Sequence, residues 1–424
     1  MKTTIELLRA NPQVSGYKIN IHQKESYELF FVKGALETVR CTDTCDKEVT
    51  VYVNHGVYKG DAQFFVYPST TAEQISSLIE EAVGKALIIN NRNYELPGAE
   101  EGSYAVESNF AQYDPADLAA MIAKEVFAAN TLEDASLNSV EVFVTKHTQS
   151  VLNSRGLNKT QVRYDSMVEA IPTYNGAEQS VELYEQYNFS SFDAADIKRE
   201  IADKMAQVKA RYEAVKPDSP IDCKVILNKQ ELYNLFAEIA DNLNYASVYS
   251  HSNLYQKGDD IQKEPKGDRI SITMAGEAEG NVYSAKFDGD GMSLGCIRIV
   301  EDGKAVNYFG SNRYGQYLGE TPTGNLRCLL VEPGSASSDA FVTGPYLEVV
   351  SMSGLQVDLN NDYIGGEIRL AYFYDGSKSI PVTGVSISGE LSNVLNNMIL
   401  SAETGVHDGY VGPEKAILND VKIF

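Results

Sequence analysis

Apolar and polar positions alternate along residues 16 to 66, through the runs YKINI, YELFFVKG and VTVYVNHGVYKGDAQFFVY, with turn residues between them. A period of two puts one face of each run against a core, which predicts antiparallel strands. The period then lengthens. Thr70 and Glu73 have the spacing of a capping box, and Ile75, Leu78, Ile79, Ala82 and Ala86 recur at helical intervals, so a helix is predicted from about residue 71 over one sheet face. Asp114, with Pro115 behind it, starts a second helix that carries Leu118, Met121, Ile122 and Val126 on one side. VEVFVTK and TQVRYDSMVEAI read as strands again. Asp193 then opens a long surface helix, with Ile197, Ile201, Met205 and Val208 about one turn apart and charge between them.

Pro217 and Pro220 break any helix after Val215, because each removes an amide donor and restricts the residue before it. A domain boundary is predicted there, giving an N-terminal domain of residues 1–216 and a C-terminal domain of residues 217–424. The second part opens with a helical pattern at Leu232, Leu235, Phe236, Ile239 and Leu243. From about residue 268 it becomes strands punctuated by glycine. Asp-Gly pairs at 288 to 291, 302 to 303 and 375 to 376 predict hairpin turns. The expected class is α+β, with antiparallel strands and flanking helices first and a mostly antiparallel β domain second.

Composition narrows the function. With 59 acidic against 36 basic residues the formal charge is −23, which disfavours direct contact with nucleic acid or an anionic membrane surface. No apolar run approaches the ~20 residues of a membrane span, and the opening MKTTIELLRANPQ lacks the apolar core of a secretory signal, so a cytoplasmic location is expected. Five cysteines, Cys41, Cys45, Cys223, Cys296 and Cys328, are too sparse for a disulfide framework and read as reduced thiols.

Local chemical motifs are few. The five histidines, His22, His55, His147, His251 and His407, are too far apart in sequence for two to share a helical face. Cys41 and Cys45 lack a second pair and read as ordinary thiols. Asp358, Asn360 and Asp362 imitate a calcium loop, but Tyr363 stands at its sixth position and Arg369 at its twelfth, so they read as a polar turn. Gly289, Gly291 and Gly295 fall among hairpins rather than between a strand and a helix, and no G-x-S-x-G elbow occurs. The 26 tyrosines are read as routine strand residues.

Several Gly-rich stretches occur in a telling order: Asn153-Ser154-Arg155-Gly156, Phe287-Asp288-Gly289-Asp290-Gly291, Glu301-Asp302-Gly303-Lys304, Thr323-Gly324-Asn325 and Ile364-Gly365-Gly366-Glu367. Pro381 to Gly389 then precedes an apolar helix expected over Leu391 to Leu400. Across about residues 150 to 400 this arrangement resembles the TldD/PmbA family, once described as modulators of DNA gyrase and understood as a two-component metallopeptidase. In the catalytic branch of that family an early helix of the C-terminal domain carries H-E-x-x-x-H, and a late cysteine completes the metal site. On an ungapped placement Ala237 and Asn242 stand where the histidines would be, and Glu238 keeps the carboxylate. The last cysteine, Cys328, lies well short of the C-terminus.

The resemblance therefore implies the PmbA or TldE-like branch, which lacks the metal motif. On that branch the chain is expected to have no catalytic residue, metal or cofactor of its own, the motif surviving only as Ala237, Glu238 and Asn242. It is then expected to pair with a TldD-like metal-bearing subunit and to help shape a chamber in which unfolded or extended peptides are cut. Two other readings stand beside it: a peptide-binding scaffold homodimer, and a self-sufficient hydrolase with a rewired site using His251 or His407 with a cysteine.

Overall fold

The computed structural model describes residues 2–424. Helix α1 (Lys2–Ala10) is followed by β1 (Gly16–Val32), β2 (Ala35–His55), β3 (Tyr58–Phe65), α2 (Ala72–Ala86), β4 (Glu100–Ala105), α3 (Pro115–Ala128), β5 (Ala135–Asn153), β6 (Leu157–Asn175) and α4 (Ala194–Glu213). The strands form one sheet in the order β3-β2-β1-β5-β6-β4, with Ser180–Glu182 and Glu185–Phe189 also paired to β6. All neighbours in it are antiparallel except β4 and β6.

Alternation explains why this sheet has two unlike faces. Tyr17, Ile19 and Leu29 of β1 are buried towards the helices, in clusters with Leu8, Ile75, Ile79, Ile122, Val126, Ile197 and Ile201. The intervening residues Lys18, Asn20, His22 and Lys24 lie on the opposite, polar face. Local capping sets the helix starts. The Asp114 carboxylate accepts from Ala116 N (2.9 Å) and Asp117 N (3.4 Å), and the Asp193 carboxylate from Ala195 N (2.8 Å) and Asp196 N (3.2 Å). Helix α2 differs from expectation by one residue. Its capping box joins Thr71 and Gln74, because the Thr70 hydroxyl is engaged in the preceding turn, accepting from Tyr67 N at 3.0 Å.

Helix α5 (Lys229–Asn242) lies in the core of the second half, between two sheets. One has six strands, in the order Lys304–Ala305, Cys296–Glu301, Ile272–Ala275, Cys328–Val331, Tyr410–Pro413 and Thr404–His407. The other has nine and is centred on Lys224–Asn228, Tyr346–Met352 and Tyr363–Tyr374. Leu232, Leu235, Phe236, Ile239 and Leu243 are fully buried among residues of both sheets. The class is α+β and mostly antiparallel, with parallel pairing where Lys224–Asn228 meets Tyr346–Met352 and where Cys328–Val331 meets Tyr410–Pro413. The apolar helix after Glu390 stops at Asn397 rather than Leu400, because Ile399 and Leu400 pair as a short strand with Ile417 and Ala416.

The turn at Asp302 and Gly303 is a two-residue hairpin with both residues at positive φ, as a type I′ turn requires. The 288 to 291 turn is different. It closes an isolated loop through the Phe287–Ser293 bridge, and this loop sits on the polar face of the first sheet. Lys18 Nζ meets Asp290 Oδ1 at 2.5 Å, and Gln161 Nε2 donates to the Phe287 carbonyl (3.0 Å) while its Oε1 accepts from Lys286 N (2.8 Å). Lys159, with no exposed surface, donates to Gly291 O (3.1 Å) and Ser293 Oγ (2.6 Å) and pairs with Glu100 at 2.6 Å. Gly291 sits at φ +82°, and a Cβ there would come within 2.1 Å of Leu157 Cδ2, so only glycine fits.

Inside the loop the buried Asp288 carboxylate accepts from Asp290 N (2.9 Å), Met292 N (3.0 Å) and Asn325 N (2.9 Å). Replacing Asp288 by Ala leaves three amides without that acceptor. It is expected to destabilise the protein by about 2–4 kcal/mol, read as a lowered urea midpoint. An unchanged midpoint would show that the loop is held without it.

Candidate functional site

The helix that would carry a metal motif is fixed at its start by Asn228. The Oδ1 of that residue accepts from Gln230 N (2.9 Å) and Glu231 N (3.3 Å), while its Nδ2 donates to Val349 O (3.3 Å) and Val350 O (3.2 Å). The N-cap thus also ties α5 to the strand Tyr346–Met352. With one face of α5 committed to the core, Glu238, Asp241 and Asn242 line a cleft of about 530 Å³ together with Ser247, Ser252 and residues 355–360.

The three motif positions do different things. Ala237 is partly buried and its methyl group packs against the core. Asn242 is buried, and its Oδ1 accepts from Leu254 N (3.1 Å) and Tyr255 N (2.9 Å), so both lone pairs hold the following loop. Glu238 is exposed at the cleft mouth. Partial desolvation by the cleft walls, and then the charges of Asp241 and Asp358, raise its carboxyl above the ordinary carboxylate range. Asp241 is raised by desolvation as well.

Zinc-type sites draw on imidazole nitrogen, thiolate sulfur or carboxylate oxygen. Ala237 offers none of these and the Asn242 oxygen is already spent, which leaves Glu238 among other acids with no imidazole or thiolate beside it. These residues do not fit that ion. Among the described residues no group of three or more His, Cys, Asp and Glu side chains is placed to hold a metal.

The histidine and cysteine candidates do not line this cleft. His251 is exposed at positive φ just after the short helix Tyr245–Tyr249. His407 lies beside Tyr233, ring centroids 6.3 Å apart, and burial lowers its pKa against the opposing pull of Asp408. Cys328 is wholly buried, its Sγ 3.6 Å from the Gly276 carbonyl, and burial pushes its thiol up to about 11. Cys41 and Cys45 are free thiols on β2, and Asp358 caps its own turn by accepting from Asn361 N at 2.9 Å.

Residues 220–423 match the model of the PmbA/TldA metallopeptidase C-terminal domain. A metalloprotease PmbA homolog of Haemophilus influenzae is 24% identical over 415 residues, covering 92% of this chain and 87% of its own. Over its C-terminal half the chain belongs to the TldD/PmbA family. The TldD/PmbA fold extends end to end: the crystal structure of TldE from Thermococcus kodakarensis superposes with a TM-score of 0.81 at 14% identity, covering 99% of each chain. A Thermotoga maritima structure named for modulation of a DNA gyrase gives a TM-score of 0.79 at 14% identity, covering 100% of this chain and 99% of its own.

In this chain the Gly-rich stretches that carry the family resemblance have a mechanical role that sequence reading missed. The Phe287 to Gly291 and Thr323 to Asn325 segments meet through Asp288 and Asn325, and the first seats on Lys18, Lys159 and Gln161. A signal for this was available: Lys159, Gln161, Arg163 and Asp165 put polar side chains at every second position of β6, marking a polar face with its own partners.

Removing the Asn242 amide by substitution with Ala is expected to cost about 1–3 kcal/mol, because two loop amides lose their acceptor. Chemical denaturation tests it, and no change would sink the structural role. For Glu238 the folded pKa is raised, so protonation favours the folded state and the group's contribution is lost as pH rises through that pKa. Glu238→Gln should therefore be the more stable form at neutral pH, with the difference vanishing as the pH falls below the carboxylate range. A pH series of melting temperatures reads the sign.

Proposed function

We propose that this chain is the metal-free, non-catalytic subunit of a two-component TldD/PmbA-type metallopeptidase. Its role is to shape the chamber in which a metal-bearing partner cuts unfolded or extended peptides. The observation that carries this reading is the chemistry at α5: a methyl group at Ala237, an amide oxygen at Asn242 committed to Leu254 N and Tyr255 N, and a carboxylate at Glu238 standing among acids. A peptidase of this kind needs a Lewis acid to polarise the carbonyl and activate water, so the chemistry has to come from a second subunit. Likeness to a protein named TldE over nearly the full chain supports placement on the metal-free branch.

The test is co-expression with a TldD-type subunit bearing H-E-x-x-x-H. The expected result is a stoichiometric complex that cleaves an unfolded casein substrate and contains zinc, whereas the lone chain has neither zinc nor turnover. Stoichiometric zinc in the lone chain, or casein cleavage abolished by His251→Ala or His407→Ala, would overturn it.

A further inference from the structure

Away from the α5 cleft, the first sheet leaves one edge open. β2 pairs with β3 only from Glu48 to His55, so among the described residues its outer edge from Ala35 to Asp46 has no strand partner. Such an edge presents backbone amides and carbonyls in strand register to whatever lies alongside. Beside it is a groove of about 500 Å³ that runs from Cys41, Thr42 and Asp43 to the first turn of α3. Its walls include Tyr27, Phe110, Tyr113, Leu118, Val144 and Tyr164. An aromatic groove flanking a free strand edge has the form used to recognise an added strand, in which backbone bonds give affinity and a pocket takes one side chain.

Charge selects the occupant. On the groove rim Glu25, Asp43 and Asp114 face a single cation, Lys146, which is bonded to Glu25 at 2.8 Å. Among the described residues Asp43 accepts from the neutral Gln23 amide (2.9 Å), and Asp114 caps α3. Along the edge Glu37 and Asp46 are exposed, and the charge of the exposed Arg40 is offset by its ion pair with the buried Glu28 opposite it on β1. A second copy paired edge to edge would bring together two edges that each carry Glu37, Asp43 and Asp46, in chains that each carry −23.

We propose that the β2 edge and this groove bind an extended, cationic peptide segment as an added strand, with an apolar side chain in the groove. The inference takes its kind of ligand from the peptide-handling function proposed above, but it needs neither the metal-bearing partner nor the α5 cleft. The two can therefore fail separately: the first in cleavage by the complex, this one in binding by the lone chain.

The experiment titrates the full chain with a fluorescein-labelled heptapeptide in which lysine alternates with valine and leucine, and follows iodoacetamide labelling of Cys41 by mass spectrometry. Cys296, exposed on a strand of the second half, is the internal reference. Expected are saturable binding, Cys41 labelling slowed about tenfold with Cys296 unchanged, and binding weakened about tenfold in the doubly substituted Asp43→Lys, Asp46→Lys chain at unchanged circular dichroism. Unchanged Cys41 labelling at saturating peptide would overturn the proposal. So would equal binding of the same peptide with glutamate in place of lysine. Copper-catalysed Cys41 to Cys41 cross-linking of the lone chain would also overturn it, by assigning the edge to a second copy.

Discussion

An ammonium group with no exposed surface has to find its partners inside the protein, and Lys159 finds them on two separate segments. Glu100 comes from β4, and the Gly291 carbonyl and Ser293 hydroxyl from the 287 to 293 loop of the second half. Leaving such a charge unpaired would cost several kcal/mol, so Glu100 and the seated loop together complete the surroundings of β6. The consequences run onward. The seated loop requires glycine at 291, its turn is closed by Asp288, and Asp288 reaches Asn325 just ahead of the strand Cys328–Val331. One buried cation thereby sets how the first sheet meets the segments around the second core.

Much of the fold was legible in the sequence wherever its cause is local. Asp114 with Pro115, and Asp193, mark helix starts because the capping oxygen and the amides it accepts from lie within three residues. Helix α5 was legible from apolar spacing alone, since a helix between two sheets must bury most of its circumference. The failures come from competition that spacing does not encode. Thr70 has the right neighbours for a cap, but its hydroxyl is engaged with Tyr67 N, and the box moves to Thr71. Ile399 and Leu400 continue an apolar pattern, but strand pairing with Ile417 and Ala416 ends the helix first. The Asp-Gly pairs near 289 have hairpin chemistry without flanking partner strands, because their loop packs on a distant sheet.

The candidate site was legible only as a set of residue types. Sequence placed Ala237, Glu238 and Asn242 on one helix. What it could not supply is the loop at Leu254 and Tyr255, which gives the Asn242 oxygen its two amide partners. An amide suits that duty better than an imidazole, since a carbonyl oxygen carries two acceptor sites and a neutral imidazole only one. The position is thus specialised for architecture in its own right. Glu238 completes the contrast: partial desolvation, and then the charges of Asp241 and Asp358, hold its carboxyl above the ordinary range, but among the described residues no metal-holding group stands with it to supply a bound water.

The acidic excess has a further consequence for how a peptide could be held. Backbone pairing at an open strand edge is indifferent to side-chain identity, which suits unfolded substrates but would equally invite self-association. Placing Glu37, Asp43 and Asp46 along that edge while the Arg40 charge is offset by Glu28 penalises a like-charged copy and favours a cationic strand. Specificity of this kind comes from repulsion as much as attraction, and it requires no shape complementarity along the full length of the ligand. The same residues that keep the edge from pairing with itself thus keep it open for a substrate, and the aromatic groove behind Cys41 supplies the one contact that depends on the substrate's side chain.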